Sequence, residues 1–167
     1  IIATYAKQAA KKNWKVSIVS SDKDLMQVVT DDINLVDTMK NKSIGVKDVI
    51  EKFGVKPNRV IDVQALAGDS SDNVPGAPGI GLKTAALLIN EYDNLENLLN
   101  SAEKIKQNKR RESLINNKDL INISKKLVTL KDDIDDIQPL ETLSLTSINY
   151  ETLIPFLHDL ELFKLKE

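Results

Sequence analysis

The stretch Gly68–Thr84, GDSSDNVPGAPGIGLKT, decides how the rest of the chain is interpreted. It contains four of the six glycines and two of the five prolines in the 167-residue sequence. Asp69 and Asp72 stand near its start, a glycine-rich turn follows, and a helical pattern begins at its end. The stretch therefore places carboxylates, which can hold a divalent cation, beside backbone that can approach a phosphate closely. This combination indicates a metal-dependent enzyme or module that acts on the nucleic-acid backbone.

The composition is that of a globular chain with one core or two small ones. Hydrophobic residues make up 41% and charged residues 29% of the sequence, and no apolar run approaches the roughly 20 residues that a membrane-spanning helix needs. The absence of cysteine excludes a disulfide framework and a thiolate metal site, and it fits a reducing compartment. With a net charge of −2, any binding of nucleic acid must come from a local basic patch.

The first third of the sequence alternates helical and strand patterns, as α/β proteins do. Residues 38–43 are polar and are expected to form a turn. Gly54 is expected to end a helix, and the aromatic side chains of Trp14 and Phe53 are expected to lie in the core. The periodicity predicts helices over residues 1–13, 25–29 and 46–53 and strands over residues 14–20 and 33–37.

Beyond Pro57 the strand patterns disappear and short helices dominate. Pro57 suits a first helical turn, and the helix that it opens runs to Gly68. Further helices are predicted over residues 84–92, 95–99, 118–130 and 150–163, the last with Pro155 in its first turn. We therefore predict two parts, with residues 1–55 forming part of an α/β core and residues 56–167 forming a helical unit.

Two pairs of aspartates are candidates for metal binding. Asp22 and Asp24 follow a predicted strand, and Asp69 and Asp72 follow a predicted helix. Mg²⁺ prefers oxygen ligands, and four carboxylates in one cleft would repel each other strongly without cations. If the pairs converge, they predict a two-metal site with the ions about 3.5–4 Å apart, suited to phosphoryl displacement. Each pair alone also fits ordinary solvated residues at a helix start or in a loop.

The glycine-rich turn is a candidate for binding phosphate. Gly79 and Gly81 allow close approach of the backbone, and Ile80 between them is expected to enter the core. The helix that follows offers unpaired N–H groups, with Lys83 supplying positive charge and Thr84 a hydroxyl. Such contacts read no bases, so binding should be independent of sequence and sensitive to salt. The alternative is a plain turn between two helices.

Two further features leave alternatives open. Residues 104–111 carry five basic side chains in eight, which could extend a phosphate-binding track or could form a solvated face. The single histidine, His158, lies in an apolar helical pattern, where a partly buried structural role is favoured over catalysis.

Segments of the chain resemble a known family, the 5′-nuclease domains of bacterial DNA polymerase I within the flap-endonuclease superfamily. The resemblance lies in SDKDLMQ at 21–27, LAGDSSDNVPG at 66–76 and PGIGLKTA at 78–85, and KKLVTLK at 125–131 is also similar. It implies an α/β remnant of a PIN-like nuclease core, followed by an all-α helix–three-turn–helix (helix-hairpin-helix) subdomain.

The resemblance also implies an activity and a set of site residues. Asp22, Asp24, Asp69 and Asp72 match metal ligands of a structure-specific 5′→3′ exonuclease or flap endonuclease of DNA replication and repair, which uses Mg²⁺ or Mn²⁺. The turn at Gly79–Gly81 matches a grip on the duplex backbone that commonly holds K⁺ with main-chain carbonyls. The implied partners are DNA with 5′ flaps or nicks and a polymerase region of the same chain, in the bacterial cytoplasm at the nucleoid and not at a membrane.

The chain departs from the family pattern at its start. It lacks the earlier acidic ligands of the family, including a Glu-x-Asp-Asp cluster, and it opens without an initiator methionine inside a helical pattern. We therefore expect a fragment of a longer chain whose nuclease activity alone is weak or absent. One alternative is a non-catalytic DNA-binding module that uses the hairpin. Another is a haloacid-dehalogenase-type phosphatase, suggested by Asp22 and Asp24 after a strand, although the residues that follow fit that family poorly.

Overall fold

The N-terminal part of the chain folds around a small sheet. In the computed structural model, which describes residues 1–145, 147–162 and 164, the strands stand in the order β1 (Val16–Val19), β2 (Ile33–Asp37) and β3 (Lys42–Ile44). β1 and β2 are parallel and place Ile18 opposite Leu35, whereas β2 and β3 are antiparallel and place Leu35 opposite Ile44. Because directly opposed residues share one face of a sheet, these three buried side chains form its core-facing row.

Helices make up most of the remaining described structure. The α-helices are α1 (Ile2–Lys11), α2 (Val46–Phe53), α3 (Val60–Ala67), α4 (Leu82–Tyr92), α5 (Leu95–Asn100), α6 (Asn108–Asn116), α7 (Lys118–Val128) and α8 (Tyr150–Asp159). Short 3₁₀ helices span Lys23–Val28, Pro57–Arg59, Ala102–Lys104 and Leu140–Thr142. The chain divides into two compact units, residues 1–137 and residues 138–167.

Most predicted elements are present. β2 and α2 have the predicted bounds, and Gly54 ends α2 in the left-handed conformation with φ +72°. Phe53 lies in the core as expected. The helix predicted over residues 25–29 is the 3₁₀ helix Lys23–Val28, which begins two residues earlier. The strong apolar periodicity of these segments explains the agreement.

Four expectations are wrong at least in part. The turn predicted over residues 38–43 is present over residues 38–41, but residues 42 and 43 belong to β3, whose short and mostly polar sequence gives little alternation to detect. Trp14 is 47% exposed, in the loop that follows α1. Pro155 lies in the second turn of α8, not in the first. The helix ends at Asp159, four residues before the predicted end at Phe163, and Phe163 itself lies outside the described residues. His158, expected to be partly buried, is exposed.

Helix α3 is the centre of the first unit. Six of its eight residues are buried, and it packs against both α4 and α7. Two of the six, Asp62 and Gln64, are polar, and burying such groups is costly unless they are paired. Both side chains have such partners: Asp62 contacts Lys125 of α7, and Gln64 donates a hydrogen bond to Asp24.

Asp62 joins three helices through an ion-pair network. Its Oδ1 lies 3.0 Å from Nζ of Lys125 on α7, and its Oδ2 accepts a hydrogen bond from the N–H of Leu95 on α5. Lys125 also donates to Oε1 of Glu96 on α5, at 2.5 Å. Burial lowers the pKa of Lys125, but the hydrogen bonds to Glu96 and Asp62 outweigh this effect and raise its pKa. The network therefore holds α3, α5 and α7 together.

Two glycines allow the chain to cross itself directly after α3. Gly68 and Gly76 both have positive φ, and a Cβ on Gly76 would lie 2.4 Å from the backbone nitrogen of Gly68. The buried hydroxyl of Ser124 on α7 accepts a hydrogen bond from the N–H of Gly76 at 3.0 Å. The same hydroxyl donates to the Leu120 carbonyl of α7 at 2.9 Å. The Ser124 side chain therefore ties the backbone crossing to α7.

The segment after α7 returns to the first helix. Gln27 donates to the Val128 carbonyl and accepts from the Leu130 N–H, which ties the end of α7 to the 3₁₀ helix Lys23–Val28. Lys7 on α1 pairs with Asp132. Among the described residues, no helix is long and apolar enough to cross a lipid bilayer.

The second unit, taken by itself, is built on α8. Asn149 caps this helix by accepting a hydrogen bond from the Thr152 N–H at 3.3 Å. Leu157 is buried, while Tyr150 and Phe156 are largely exposed.

Replacing Gly76 by alanine tests the backbone crossing. We expect Gly76→Ala to lower the free energy of unfolding by about 3 kcal/mol or more, because the new Cβ meets backbone atoms and the residue has positive φ. Urea denaturation measures the change. Gly79→Ala is the matched control, since its φ is also positive but a Cβ there meets nothing within 4 Å, so only about 1 kcal/mol should be lost. Equal losses in both variants would show that the crossing is not sterically constrained.

The pH dependence of stability tests the network at Lys125. The hydrogen bond from Lys125 holds the pKa of Glu96 below its ordinary value of 4.5. A carboxyl with a depressed folded-state pKa adds stability above its unfolded pKa and loses it as the pH falls through the folded pKa. We expect Glu96→Gln to cost about 0.5 kcal/mol at pH 7, and the difference from wild type to disappear as the pH falls below 4.5 and through the lowered pKa of Glu96.

Thermal unfolding between pH 3 and pH 7 provides this measurement. Glu112→Gln, at an exposed position of α6, makes the same change in charge and serves as the control. A constant difference between wild type and Glu96→Gln over the whole pH range would contradict the assignment.

Candidate functional site: an acidic loop and a glycine hairpin

Asp22 and Asp24 lie where β1 leads into the 3₁₀ helix Lys23–Val28. The carboxylate of Asp22 caps this helix by accepting a 2.9 Å hydrogen bond from the Asp24 N–H. Oδ1 of Asp24 accepts a 2.6 Å hydrogen bond from Nε2 of Gln64 on α3. The first aspartate pair is therefore anchored to the sheet on one side and to the central helix on the other.

Asp69 and Asp72 lie in a tight loop between α3 and the hairpin. Two hydrogen bonds of 2.9 and 2.8 Å between the backbones of Asp69 and Val74 close the loop. The Asp69 side chain is only 10% exposed and accepts hydrogen bonds from the N–H and the hydroxyl of Ser71, at 3.1 and 2.6 Å. Asp72 is 56% exposed, so the two carboxylates differ in their access to solvent.

Lys23 joins the two acidic segments. Its ammonium lies 2.6 Å from Oδ2 of Asp69 and 3.6 Å from Oδ2 of Asp72, and it donates a 2.7 Å hydrogen bond to the Ser71 hydroxyl. The residue between Asp22 and Asp24 thus places a positive charge among the oxygens of the other loop.

The charges of the site act on one another. Burial, followed by the negative charges of Asp22 and Asp72, raises the pKa of Asp24 against the opposing effect of the Gln64 hydrogen bond. Burial also pushes the pKa of Asp69 upward, but hydrogen bonds from Lys23 and Ser71 outweigh it and hold that pKa below its ordinary value. The two acidic segments are therefore close enough to interact electrostatically.

The four aspartates do not form a compact ligand group by themselves. Within the part of the chain that the structure describes, no three histidine, aspartate or glutamate side chains lie close enough to hold a metal ion. The oxygen donors present, carboxylates with a serine hydroxyl, are of the type that hard divalent cations take, and the Lys23 ammonium already occupies a position among them. The donor chemistry fits a divalent cation, although the assignment of all four aspartates as ligands stays a prediction.

The hairpin that follows, residues 77–81, is hydrogen-bonded to α3 and closed by a turn of its own. The Ala77 N–H donates to the Leu66 carbonyl of α3 at 2.7 Å, and the Ile80 N–H donates to the Ala77 carbonyl at 3.0 Å. Gly79 has φ +78°, as the third residue of this turn requires. Ile80 is 3% exposed and anchors the turn in the core, as predicted.

The outer face of the hairpin is open. A Cβ added to Gly79 or Gly81 would meet nothing within 4 Å. Gly81 precedes α4 and has φ −87°, a backbone conformation that any residue adopts, so the fold itself does not require glycine there. Lys83 is exposed and Thr84 is half-buried in the first turn of α4, where backbone N–H groups lack intrahelical acceptors.

Helix α6 lies beside the hairpin. The hydroxyl of Ser113 donates a 2.7 Å hydrogen bond to the Pro78 carbonyl. Lys104, Lys106 and Lys109 are exposed just before and in the first turn of this helix. Arg111, by contrast, donates to the Ile105 carbonyl and to the Asn108 side chain, which is a structural role. Only part of the basic segment is therefore available to a ligand.

Sequence reasoning missed two residues that organise the site, Lys23 and Gln64. A signal for each was present, since Lys23 stands between two candidate ligands and Gln64 is an amide in the otherwise apolar C-terminal half of α3. Neither signal specifies a partner, because both contacts are to residues distant in sequence.

An α/β part followed by helices, with an acidic loop joined to a glycine hairpin, defines a fold of the 5′-nuclease class. A family model described as 5′-3′ exonuclease, N-terminal resolvase-like domain matches residues 1–54, and one described as 5′-3′ exonuclease, C-terminal SAM fold matches residues 55–151. The chain belongs to the 5′-3′ exonuclease family. The predicted family and fold class are confirmed, while the domain boundary at residue 55 stays a prediction.

Curated relatives agree with this assignment. The chain is 52% identical over 161 residues to DNA polymerase I of Rhizobium leguminosarum, covering 96% of this chain and 16% of the relative. It is 42% identical over 140 residues to a 5′-3′ exonuclease of Buchnera aphidicola, covering 80% of this chain and 49% of the relative. The chain thus spans about half the length of the exonuclease and a much smaller share of the polymerase.

Solved structures support the fold. A T5 5′-exonuclease with bound zinc matches with a TM-score of 0.71 at 23% identity, covering 76% of this chain and 47% of that one. A T5 flap endonuclease in a pseudo-enzyme–product complex with DNA and metal ions matches with a TM-score of 0.70 at 23% identity and the same coverage.

Proposed function

We propose that this chain is part of a structure-specific 5′→3′ exonuclease or flap endonuclease of DNA replication and repair, which hydrolyses phosphodiesters at 5′ ends and flaps. The observation that carries the proposal is the single short segment in which an acidic loop and an open glycine hairpin meet at the crossing of Gly68 and Gly76. On this proposal, one short segment would supply two of the metal ligands, Asp69 and Asp72, together with the backbone grip.

The proposed metal ligands are Asp22, Asp24, Asp69 and Asp72, with Mg²⁺ or Mn²⁺ as the ions. Divalent ions held there would supply positive charge to the attacking and leaving oxygens of a phosphoryl displacement. The chain's own residues hold the carboxylates in place: the Ser71 hydroxyl and N–H orient Asp69, and the Asp22 cap fixes the turn that carries Asp24.

The proposed DNA grip is the hairpin with Gly79, Ile80, Gly81, Lys83 and Thr84. Open glycines let phosphate oxygens reach the N–H groups at the start of α4, and Lys83 adds positive charge there. Main-chain carbonyls of the hairpin would hold a K⁺ ion at this grip. The exposed lysines before and in α6 would continue the contact along the duplex backbone. Because all these contacts are to phosphates, the grip would not read the base sequence.

The proposed partners are DNA with 5′ flaps or nicks and, in a longer protein, a polymerase region. With these partners, the proposed location is the bacterial cytoplasm at the nucleoid.

A second candidate function, DNA binding without cleavage, is favoured by one observation. The hairpin is fixed by hydrogen bonds on both sides, whereas fewer than three acidic side chains converge within the described residues. For this chain alone, we propose weak or absent cleavage together with duplex binding. The phosphatase alternative finds no support, since the matched family consists of exonucleases.

Cleavage of a 5′-flap substrate in Mg²⁺ separates the two candidates. If the chain cleaves, we expect Asp69→Ala and Asp22→Ala each to lower the rate at least about 100-fold, since removing one ligand displaces a metal ion. Asp31→Ala, in the turn before β2, is the control and should leave the rate unchanged. Salt-dependent binding without any cleavage would support the binding module for this chain.

Duplex binding tests the hairpin independently of cleavage. We expect Gly81→Val to weaken binding about tenfold at low salt, equivalent to about 1.4 kcal/mol, because the side chain blocks close approach of phosphate. Fluorescence anisotropy with a labelled duplex in EDTA measures the affinity.

Gly45→Val is the matched control for this measurement. Gly45 also precedes a helix, has ordinary extended backbone and would place a Cβ in open space. It should bind the duplex like the wild type, and both variants should unfold at similar urea concentrations. Equal affinities of Gly81→Val and Gly45→Val would remove the hairpin from the proposed grip.

A further inference from the structure

Lys23 is placed where a bound cation would be expected. Its ammonium contacts Asp69, Ser71 and Asp72 together, at 2.6, 2.7 and 3.6 Å. Their oxygens are the atoms of the acidic loop that could bind a metal ion. The Lys23 side chain reaches them from the start of the 3₁₀ helix Lys23–Val28, which follows β1. An ammonium is a compact point charge with three donors, so it can satisfy several oxygens at once.

The environment of Lys23 makes this position significant. The Asp69 side chain is only 10% exposed, and a largely buried carboxylate needs a charged or hydrogen-bonding partner. Lys23 supplies the positive charge, and it is itself only 33% exposed, so solvent screens the pair less than at an open surface.

We infer that Lys23 is a tethered cation that holds the two acidic segments in position before a divalent ion binds and that gives way when the ion binds to Asp69 and Asp72. This inference rests on the proposed metal site. It assigns to Lys23 a positioning role in the metal-free protein: the ammonium holds the acidic loop together when no ion is bound, and it competes with the metal for the same oxygens. Both effects follow from one contact, since a cation that stabilises the loop without metal must lose at least part of its interaction when metal takes its place.

The inference predicts opposite changes in two measurable quantities. For Lys23→Gln, the melting temperature without metal should fall by a few degrees, because the acidic loop loses its partner. The affinity for Mn²⁺ should rise about three- to tenfold, because nothing then competes with the ion. A purely structural lysine would show the first change without the second. Lys23→Arg keeps the charge and the donors and should restore the wild-type behaviour.

Two other lysine variants separate competition from general electrostatics. Lys15 pairs with Asp32 at 2.6 Å at the opposite end of β1, so Lys15→Gln removes a similar ion pair away from the acidic loop. Lys52 lies within electrostatic range of Lys23, Asp22 and Asp24 without pairing to Asp69, so Lys52→Gln removes a nearby charge that does not compete. Both variants should bind Mn²⁺ within about twofold of the wild type.

The experiment is isothermal titration of the 167-residue chain with Mn²⁺, with thermal unfolding in EDTA measured in parallel. Tighter Mn²⁺ binding by Lys23→Gln alone, with lower stability in EDTA, is the expected result. Unchanged or weaker Mn²⁺ binding by Lys23→Gln would overturn the inference, while the proposed metal site would stand if Asp69→Asn abolishes binding in the same assay. Absence of Mn²⁺ binding by the wild type would overturn both the inference and metal binding by this chain.

Discussion

The close approach of the backbone at Gly68 and Gly76 is the constraint on which the rest of the site depends. At this crossing, no residue with a side chain fits at position 76 without moving backbone atoms. The chain between the two glycines is thereby folded into a tight acidic loop, and the chain after them is directed into the hairpin. One steric condition thus sets the positions of two chemically different features, carboxylates on one side and open backbone N–H groups on the other.

Much of the fold could be predicted from local sequence. β2 and α2 were located to the residue, because their apolar periodicity is clear and Gly54 provides a distinct stop. The hairpin and its buried Ile80 followed from the alternation of glycine with a single apolar residue. These features are decided by neighbours within a few positions, which is why a single sequence is enough to find them.

What could not be predicted depends on contacts between distant residues. Whether Lys23 reaches Asp69, or Gln64 reaches Asp24, is decided by how the sheet and α3 pack, and polar residues of this kind occur on most surfaces. The extent to which the aspartate pairs converge is a tertiary property for the same reason. β3 was not predicted because two of its three residues are exposed. Its sequence therefore shows almost no hydrophobic pattern, although it pairs with β2.

The network of Asp62, Lys125 and Glu96 has a consequence for how the molecule is made. Asp62 is almost fully buried, yet its cationic partner lies on α7, which a ribosome produces much later. Until α7 has been made, α3 has a buried carboxylate without its cation and an uncovered apolar surface, which disfavours its final packing. The first unit therefore completes its core only after α7 has been synthesised and has docked on α3.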